Sequence, residues 1–438
     1  MTDFHPQSAI RNPQSAIVRP VRRVYLDNQA ATPVAPEVFE AMKPFFSEAF
    51  GSASSMHQHG LRARDALARA REQIAAFLHA AAPEEILFTS DGTESANLAI
   101  KGVAYANQRR GNHLVVSAVE HPAVLGSVEF LEKQGFTCTK LKVDAAGWVD
   151  PEEVRAALTD QTILIAVQHS NQDIGTLQPV QAIAALAAQR AITFYVDAEA
   201  SAGWMPLDVQ AIGADLLSFS PHRFYGPKGV GVLYRQRRAR LTSLLHGGVQ
   251  EGGRRAGVEN VPAIVGAGVA AEMAARELPE RVAHTARLQQ RLWEGLRARI
   301  PYLRLNGPEP GPRRLSTNLN LSAEFVEGEG LLLMLDTRGI AVAAGTSCVS
   351  KALKVSPVLQ AIGLNHALGQ AAILLSLGRD QTDADIDYVL ETVPQVVSTL
   401  RDMSPMWDEF KRGMIDSDIS PRSGAPAGRR PGQAAPAR

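Results

Sequence analysis

Short apolar runs alternate with helical stretches through the first half of this chain, and that alternation limits the fold more than any other feature. The runs are Ile86-Leu-Phe-Thr89, His113-Leu-Val-Val-Ser117, Thr162-Ile-Leu-Ile-Ala-Val167, Ile192-Thr-Phe-Tyr-Val196 and Leu216-Leu-Ser-Phe219. Between them lie helical patterns over Glu94 to Asn107, Ala123 to Gln134 and Gln181 to Arg190. Continuous apolar strands joined by helices predict a mostly parallel sheet covered on both faces, with ligands beyond the carboxyl ends of its strands. From about Asn260 to Arg299 the pattern becomes one long helix, followed by a second α/β segment, about Tyr302 to Arg401.

The expected organisation is a tail over residues 1–21, a large domain over 22–259, a linking helix with a smaller C-terminal domain over 260–412, and a second tail over 413–438. The first tail repeats Pro6-Gln-Ser-Ala-Ile10 as Pro13-Gln-Ser-Ala-Ile17. The second is rich in Pro, Gly, Ala and Arg. Both compositions predict disorder, because neither can build a core.

Lys plus Arg equals Asp plus Glu at 45 each, so no net field points to nucleic acid or a membrane surface. No apolar run reaches the length of a membrane span, and residues 1–20 lack the apolar stretch of a secretion signal. Two cysteines, Cys138 and Cys348, are too few for a disulfide framework. The expected location is cytoplasmic.

Three clusters carry candidate chemistry. Phe88-Thr-Ser-Asp-Gly-Thr-Glu-Ser-Ala-Asn97 reads as strand, Gly92-Thr93 turn and helix, which presents free backbone N–H groups to an anion; a plain capped helix start would look the same. Asp197 ends an apolar strand, where it is either a turn residue or a carboxylate facing the ligand crevice. The third cluster is Ser218-Phe-Ser-Pro-His-Arg-Phe-Tyr-Gly-Pro-Lys-Gly-Val-Gly231.

This third cluster resembles the Ser-Phe-Ser-Gly-His-Lys signature of cysteine desulfurases, relatives of the class V aminotransferases. Further matches follow in order: Tyr25-Leu-Asp-Asn-Gln-Ala-Ala-Thr-Pro33, Gly51 to His57, Glu120-His121, His246-Gly-Gly248 and Gly345-Thr-Ser-Cys-Val-Ser350. The resemblance implies a fold-type-I pyridoxal phosphate (PLP) protein with a seven-stranded sheet and a smaller C-terminal α/β domain. It implies a dimer that takes sulfur from L-cysteine as a persulfide and passes it to an acceptor such as an iron–sulfur scaffold. Gly92, Thr93, Ser220 and His222 would then hold the phosphate, His121 would stack on the ring and Asp197 would pair with its nitrogen. Cys348 would carry the persulfide, with an iron–sulfur ligand role as a further option, and the loop from Thr346 to Pro357 resembles the long-loop subgroup.

Five positions depart from that pattern. Arg223 stands where the family has its Schiff-base lysine, and a delocalised, permanently protonated guanidinium cannot act as that amine. Gln172, Ala200 and Val258 replace an asparagine, a glutamine and a threonine of the pocket. Leu374 replaces the arginine that would clamp the substrate carboxylate. Lys228 belongs to a Gly-Pro-Lys that the family also has, and so is no obvious substitute.

Arg223 has two readings: it reaches toward Asp197 or the phosphate subsite, or it extends to water. Cys348, among small polar neighbours, favours an exposed reactive thiol, while Cys138, in Phe136-Thr-Cys-Thr-Lys-Leu-Lys142, fits a strand core. His57, His59 and His121 lack the compact spacing of a metal site.

Three functions compete. The first is a degenerate paralogue, homodimeric or paired with a related subunit, that relays persulfide or assists assembly through Cys348. The second is an active desulfurase or related lyase with non-covalent PLP. The third is a structural heterodimer partner whose basic tail, Arg422 to Arg438, docks elsewhere.

Overall fold

The structure is a computed structural model that describes residues 22–344 and 355–419. β1 (Val24–Leu26) opens the described chain. It is followed by β2 (Ile86–Thr89), β3 (His113–Ser117), β4 (Thr137–Leu141), β5 (Thr162–Ala166), β6 (Thr193–Asp197), β7 (Leu216–Phe219) and β8 (Gly231–Arg235). These last seven form one sheet in the order β2-β8-β7-β6-β5-β3-β4. Only the two ladders made by β8 are antiparallel; the other four are parallel. The mostly parallel sheet expected from the sequence is therefore present.

Both faces of this sheet are covered, which explains why its strands read as unbroken apolar runs. Phe88, Val115, Ile165, Phe194, Val196 and Leu217 belong to the core on one face. Their alternating neighbours Leu87, Leu114, Val116, Leu164, Tyr195 and Leu216 belong to the core on the other. β4 is the exception. It lies at the sheet edge and its side chains are exposed or half-buried except Leu141. Cys138 is thus half-buried at the sheet edge, packed against the second core without being enclosed by it.

A second sheet contains β9 (Leu303–Leu305), β10 (Asn318–Ala323), β11 (Ile340–Ala344) and β12 (Ala372–Ser376), with β1 completing the order β1-β11-β12-β10-β9. The N-terminal strand pairs in parallel with β11 and so ties the start of the chain to the smaller sheet. The helix Val261–Arg299 runs between the two layers. Its N-terminus is capped by Asn260, whose Oδ1 accepts from Ala263 N–H at 3.3 Å. It packs against the helix Gln58–Leu78 beside the larger sheet and the helix Asp383–Asp402 beside the smaller one. Gly268 permits the first contact, since a Cβ there would lie 2.8 Å from Ala70 Cα. Among the described residues, no helix is long and apolar enough to cross a membrane.

Candidate functional site

The carboxyl ends of β2, β6 and β7 bring three sequence-distant turns together. After β2, the helix Gly92–Asn107 begins with Asp91 as its cap, whose Oδ1 accepts from Glu94 N–H at 2.7 Å. After β7, Ser220 precedes a short 3-10 turn over Pro221–Arg223. After β6, the chain turns through Ala198, Glu199 and Ala200. Gly92 N–H donates to Ser220 Oγ at 2.8 Å, and Ser220 Oγ donates to Glu199 Oε1 at 2.9 Å.

Arg223 completes this chain of contacts. Its Nε lies 3.2 Å from Glu199 Oε2, with only 16% and 11% of the two side chains exposed. Nη1 donates to the carbonyl of Gln29, and the carbonyl of Arg223 accepts from Trp204 Nε1 at 3.1 Å. The guanidinium therefore turns inward, not toward water. Its carboxylate partner is Glu199; Asp197, one of the targets left open for an inward-turned Arg223, has its Oδ1 used locally, accepting from Glu199 N–H at 2.9 Å. Glu199 is the residue that the sequence reading missed.

The remaining charges depend on the same guanidinium. Burial raises the carboxyls of Asp197 and Glu199, and Arg223 opposes the rise in both. Burial and then Arg223 lower the imidazole of His121, and the same causes hold His222 down at about 4. Both rings are thus neutral near pH 7. His121 caps the helix Pro122–Glu132 through Nδ1, which accepts from Ala123 N–H at 3.1 Å. Beneath it, Glu120 is buried and pushed up to about 8; Oε1 accepts from Ser117 Oγ at 2.5 Å and from Gln168 N–H at 2.9 Å.

The other singled-out positions surround this centre. Thr93 follows Gly92 and is exposed. Gln172 offers its carbonyl to Asn318 Nδ2 at 3.1 Å, and Asn320 Nδ2 donates to the carbonyl of Asp173 at 3.0 Å. Asn320 also pairs in register with Leu374, so the Gln172 loop and Leu374 share one side of β10 and β12. Ala200 is buried, Val258 is 72% exposed, and Lys228 is exposed. Cys348 lies outside the described residues. Among the described residues, no group of three or more His, Cys, Asp or Glu is placed to hold a metal.

The family model described as Aminotransferase class-V matches residues 24–389. The chain is 44% identical over 391 residues to "Cysteine desulfurase IscS" of Clostridium botulinum, covering 89% of this chain and 98% of that protein. It is 46% identical over 385 residues to the protein of that name in Methanosarcina thermophila, covering 88% and 94%. Among solved structures, a "NifS-like protein" superposes with a TM-score of 0.81 at 34% identity, covering 86% of this chain and 100% of that one. "SspA in complex with cysteine" gives 0.72 at 36%, covering 82% and 99%. The architecture is that of fold-type-I PLP proteins, and the chain belongs to the cysteine desulfurase family of the class V aminotransferases.

That family is PLP-dependent, which makes the side chains around Gly92 a test of fit. By the resemblance, a covalently held cofactor would call for a lysine amine at position 223 and an open anion seat at Gly92. This chain has a guanidinium at the first and the Glu199 carboxylate at the second, 1.6 Å from where a Gly92 Cβ would be. The residues present do not fit a covalently anchored PLP.

Proposed function

We propose that this chain is a desulfurase-family protein of sulfur and iron–sulfur metabolism that does not turn over free cysteine and that relays persulfide, or assists assembly, through Cys348. The observation that carries this reading is the Arg223–Glu199 pair, which puts a non-nucleophilic cation at the lysine position and gives it a structural partner. Leu374 supports it: a buried leucine offers no charge to a substrate carboxylate, whereas an arginine there would bind one bidentately.

The relay itself needs no cofactor. The Cys348 thiolate attacks the outer, sulfane sulfur of a donor persulfide, the donor's inner sulfur leaves as a thiolate, and Cys348 becomes the persulfide. A second exchange delivers that sulfur to an acceptor thiolate. The small polar residues Gly345, Thr346, Ser347 and Ser350 around Cys348 favour access.

A dimer, with itself or with a related subunit, is supported by apolar side chains left on one region of surface. Phe46, Phe50, Met56, Leu245, Val249 and Val258 are all exposed. Ala53 and Ser54, between Phe50 and Met56, line one cavity with Val249 and Gln250. Such clustering on a soluble chain marks an interface.

The purified chain is tested with L-cysteine and, separately, with a persulfide-loaded donor. The relay predicts no steady-state alanine, and a mass gain of one sulfur on Cys348 that is absent in Cys348→Ser. Steady-state alanine formation would sink it.

A further inference from the structure

Loss of the lysine explains why this chain cannot hold PLP covalently, but not why it should fail to bind the phosphate group. An arginine beside a helix N-terminus would by itself improve a phosphate site, since the guanidinium fork matches phosphate oxygens. The residue that decides the matter is Glu199. Its carboxylate is packed onto the first residue of the helix Gly92–Asn107, so closely that a Cβ on Gly92 would lie 1.6 Å from Oε1 and 3.0 Å from Ser220 Oγ. One oxygen takes the Ser220 hydroxyl at 2.9 Å and the other faces Arg223 Nε at 3.2 Å. The Ser220 hydroxyl and the Arg223 Nε, two donors that a phosphate oxygen would seek there, are taken by this carboxylate, and the Gly92 N–H is spent on Ser220 Oγ.

We propose that Glu199 is a built-in anion, seated at the start of the Gly92–Asn107 helix and held by Ser220 and Arg223, and that it keeps phosphate monoesters out of a pocket otherwise formed to receive them. This deepens the reading of a chain without PLP turnover and rests on it. A phosphate monoester carries about 1.5 to 2 negative charges near neutral pH. Placed beside Glu199 it would meet one carboxylate and share one guanidinium. His121 and His222 do not offset that, because burial and Arg223 itself hold both neutral, and Lys228, whose charge reaches His222, is exposed to solvent. Removing the carboxylate reverses the balance: an inward-facing guanidinium, the Ser220 hydroxyl and a helix N-terminus would then surround an empty seat. The excluded ligand class is therefore a small phosphorylated or dianionic molecule, with or without an aldehyde.

The test uses inorganic phosphate and pyridoxine 5′-phosphate, which has no aldehyde and so makes the missing lysine irrelevant. Binding is read by calorimetry and by the ligand-dependent rise in melting temperature, on the full wild-type chain and on Glu199→Ala. The expected result is a gain of at least roughly tenfold in affinity for both ligands in Glu199→Ala, lost again in Glu199→Ala/Arg223→Ala. If Glu199→Ala fails to fold, Glu199→Gln, which keeps the shape and removes the charge, carries the same comparison. Three results would overturn the proposal: wild type binding as tightly as the variant, no binding by either, or a double variant that binds as well as Glu199→Ala. None of these reads Cys348, so failure here leaves the relay standing, whereas steady-state alanine formation by the wild type would count against the relay and, because that turnover needs PLP seated, against this exclusion as well.

Discussion

Arg223 Nε and Glu199 Oε2 lie 3.2 Å apart, and the two side chains reach each other from the ends of neighbouring parallel strands, β6 and β7. Neither residue is comfortable alone. Glu199 shares its surroundings with a second buried carboxyl, Asp197, and the Arg223 charge opposes the rise of both. The pair thus gives the Arg223 guanidinium a carboxylate from within the chain.

The first prediction concerns that pair. Removing one partner leaves an uncompensated charge out of water, so Arg223→Ala is expected to cost about 3 kcal/mol in denaturant unfolding. Replacing both, as Arg223→Met/Glu199→Leu, should recover most of the loss, because well-packed apolar groups often match a buried ion pair. Additive losses in the double variant would show that the two side chains act separately.

The second prediction separates the missing nucleophile from the filled seat. Arg223→Lys restores an amine but leaves Glu199 in place and removes its bidentate-capable partner. Incubation with PLP, borohydride reduction and mass analysis should therefore give little adduct on Arg223→Lys and a pyridoxyl phosphate adduct at position 223 of Arg223→Lys/Glu199→Ala. Equal labelling of the two variants would mean that Glu199 does not obstruct the site.

Much of this arrangement was legible in the sequence. The strands of the large sheet were, since burial on both faces leaves β5 or β6 as a plain apolar run that no solvent-exposed segment would show. The three-residue strands β1 and β9 are too short to carry a period, and only their pairing in the smaller sheet makes them strands. The unusual cation at position 223 was visible because its motif is rigid in composition. Its partner was not, because a glutamate two residues past a strand-terminal aspartate reads as an ordinary turn acid. The available signal was the neighbourhood: Glu199 sits in Val196-Asp-Ala-Glu-Ala-Ser-Ala-Gly203, among small residues that offer a carboxylate little water.

The third prediction uses the contact at Gly92. An alanine there would place its Cβ against Glu199 Oε1, so Gly92→Ala is expected to cost about 2 kcal/mol by overpacking. In a Glu199→Ala background the main obstacle is gone and only Ser220 Oγ, 3.0 Å away, remains close. The cost should fall by at least half when both pairs are compared by urea unfolding. An unchanged cost would place the strain in the helix start itself.

The fourth prediction concerns Glu120, whose Oε2 has no hydrogen-bond partner among the described residues. Burial pushes its carboxyl from the ordinary 4.5 up to about 8. Between those values the native state keeps a proton that the unfolded chain has released, so this group's contribution to stability falls as pH rises through the window. Glu120→Gln carries no such proton, and its stability relative to wild type should climb steadily from about pH 4.5 to pH 8. His222, held down at about 4, pulls the opposite way between about 4 and its ordinary 6.5, because there the unfolded chain binds the extra proton. Taking the difference between variant and wild type cancels that opposing slope, provided His222 keeps its surroundings. Parallel pH profiles for the two proteins would mean that Glu120 is ionised in the folded chain, and that the charge beneath His121 is larger than the burial of this carboxyl implies.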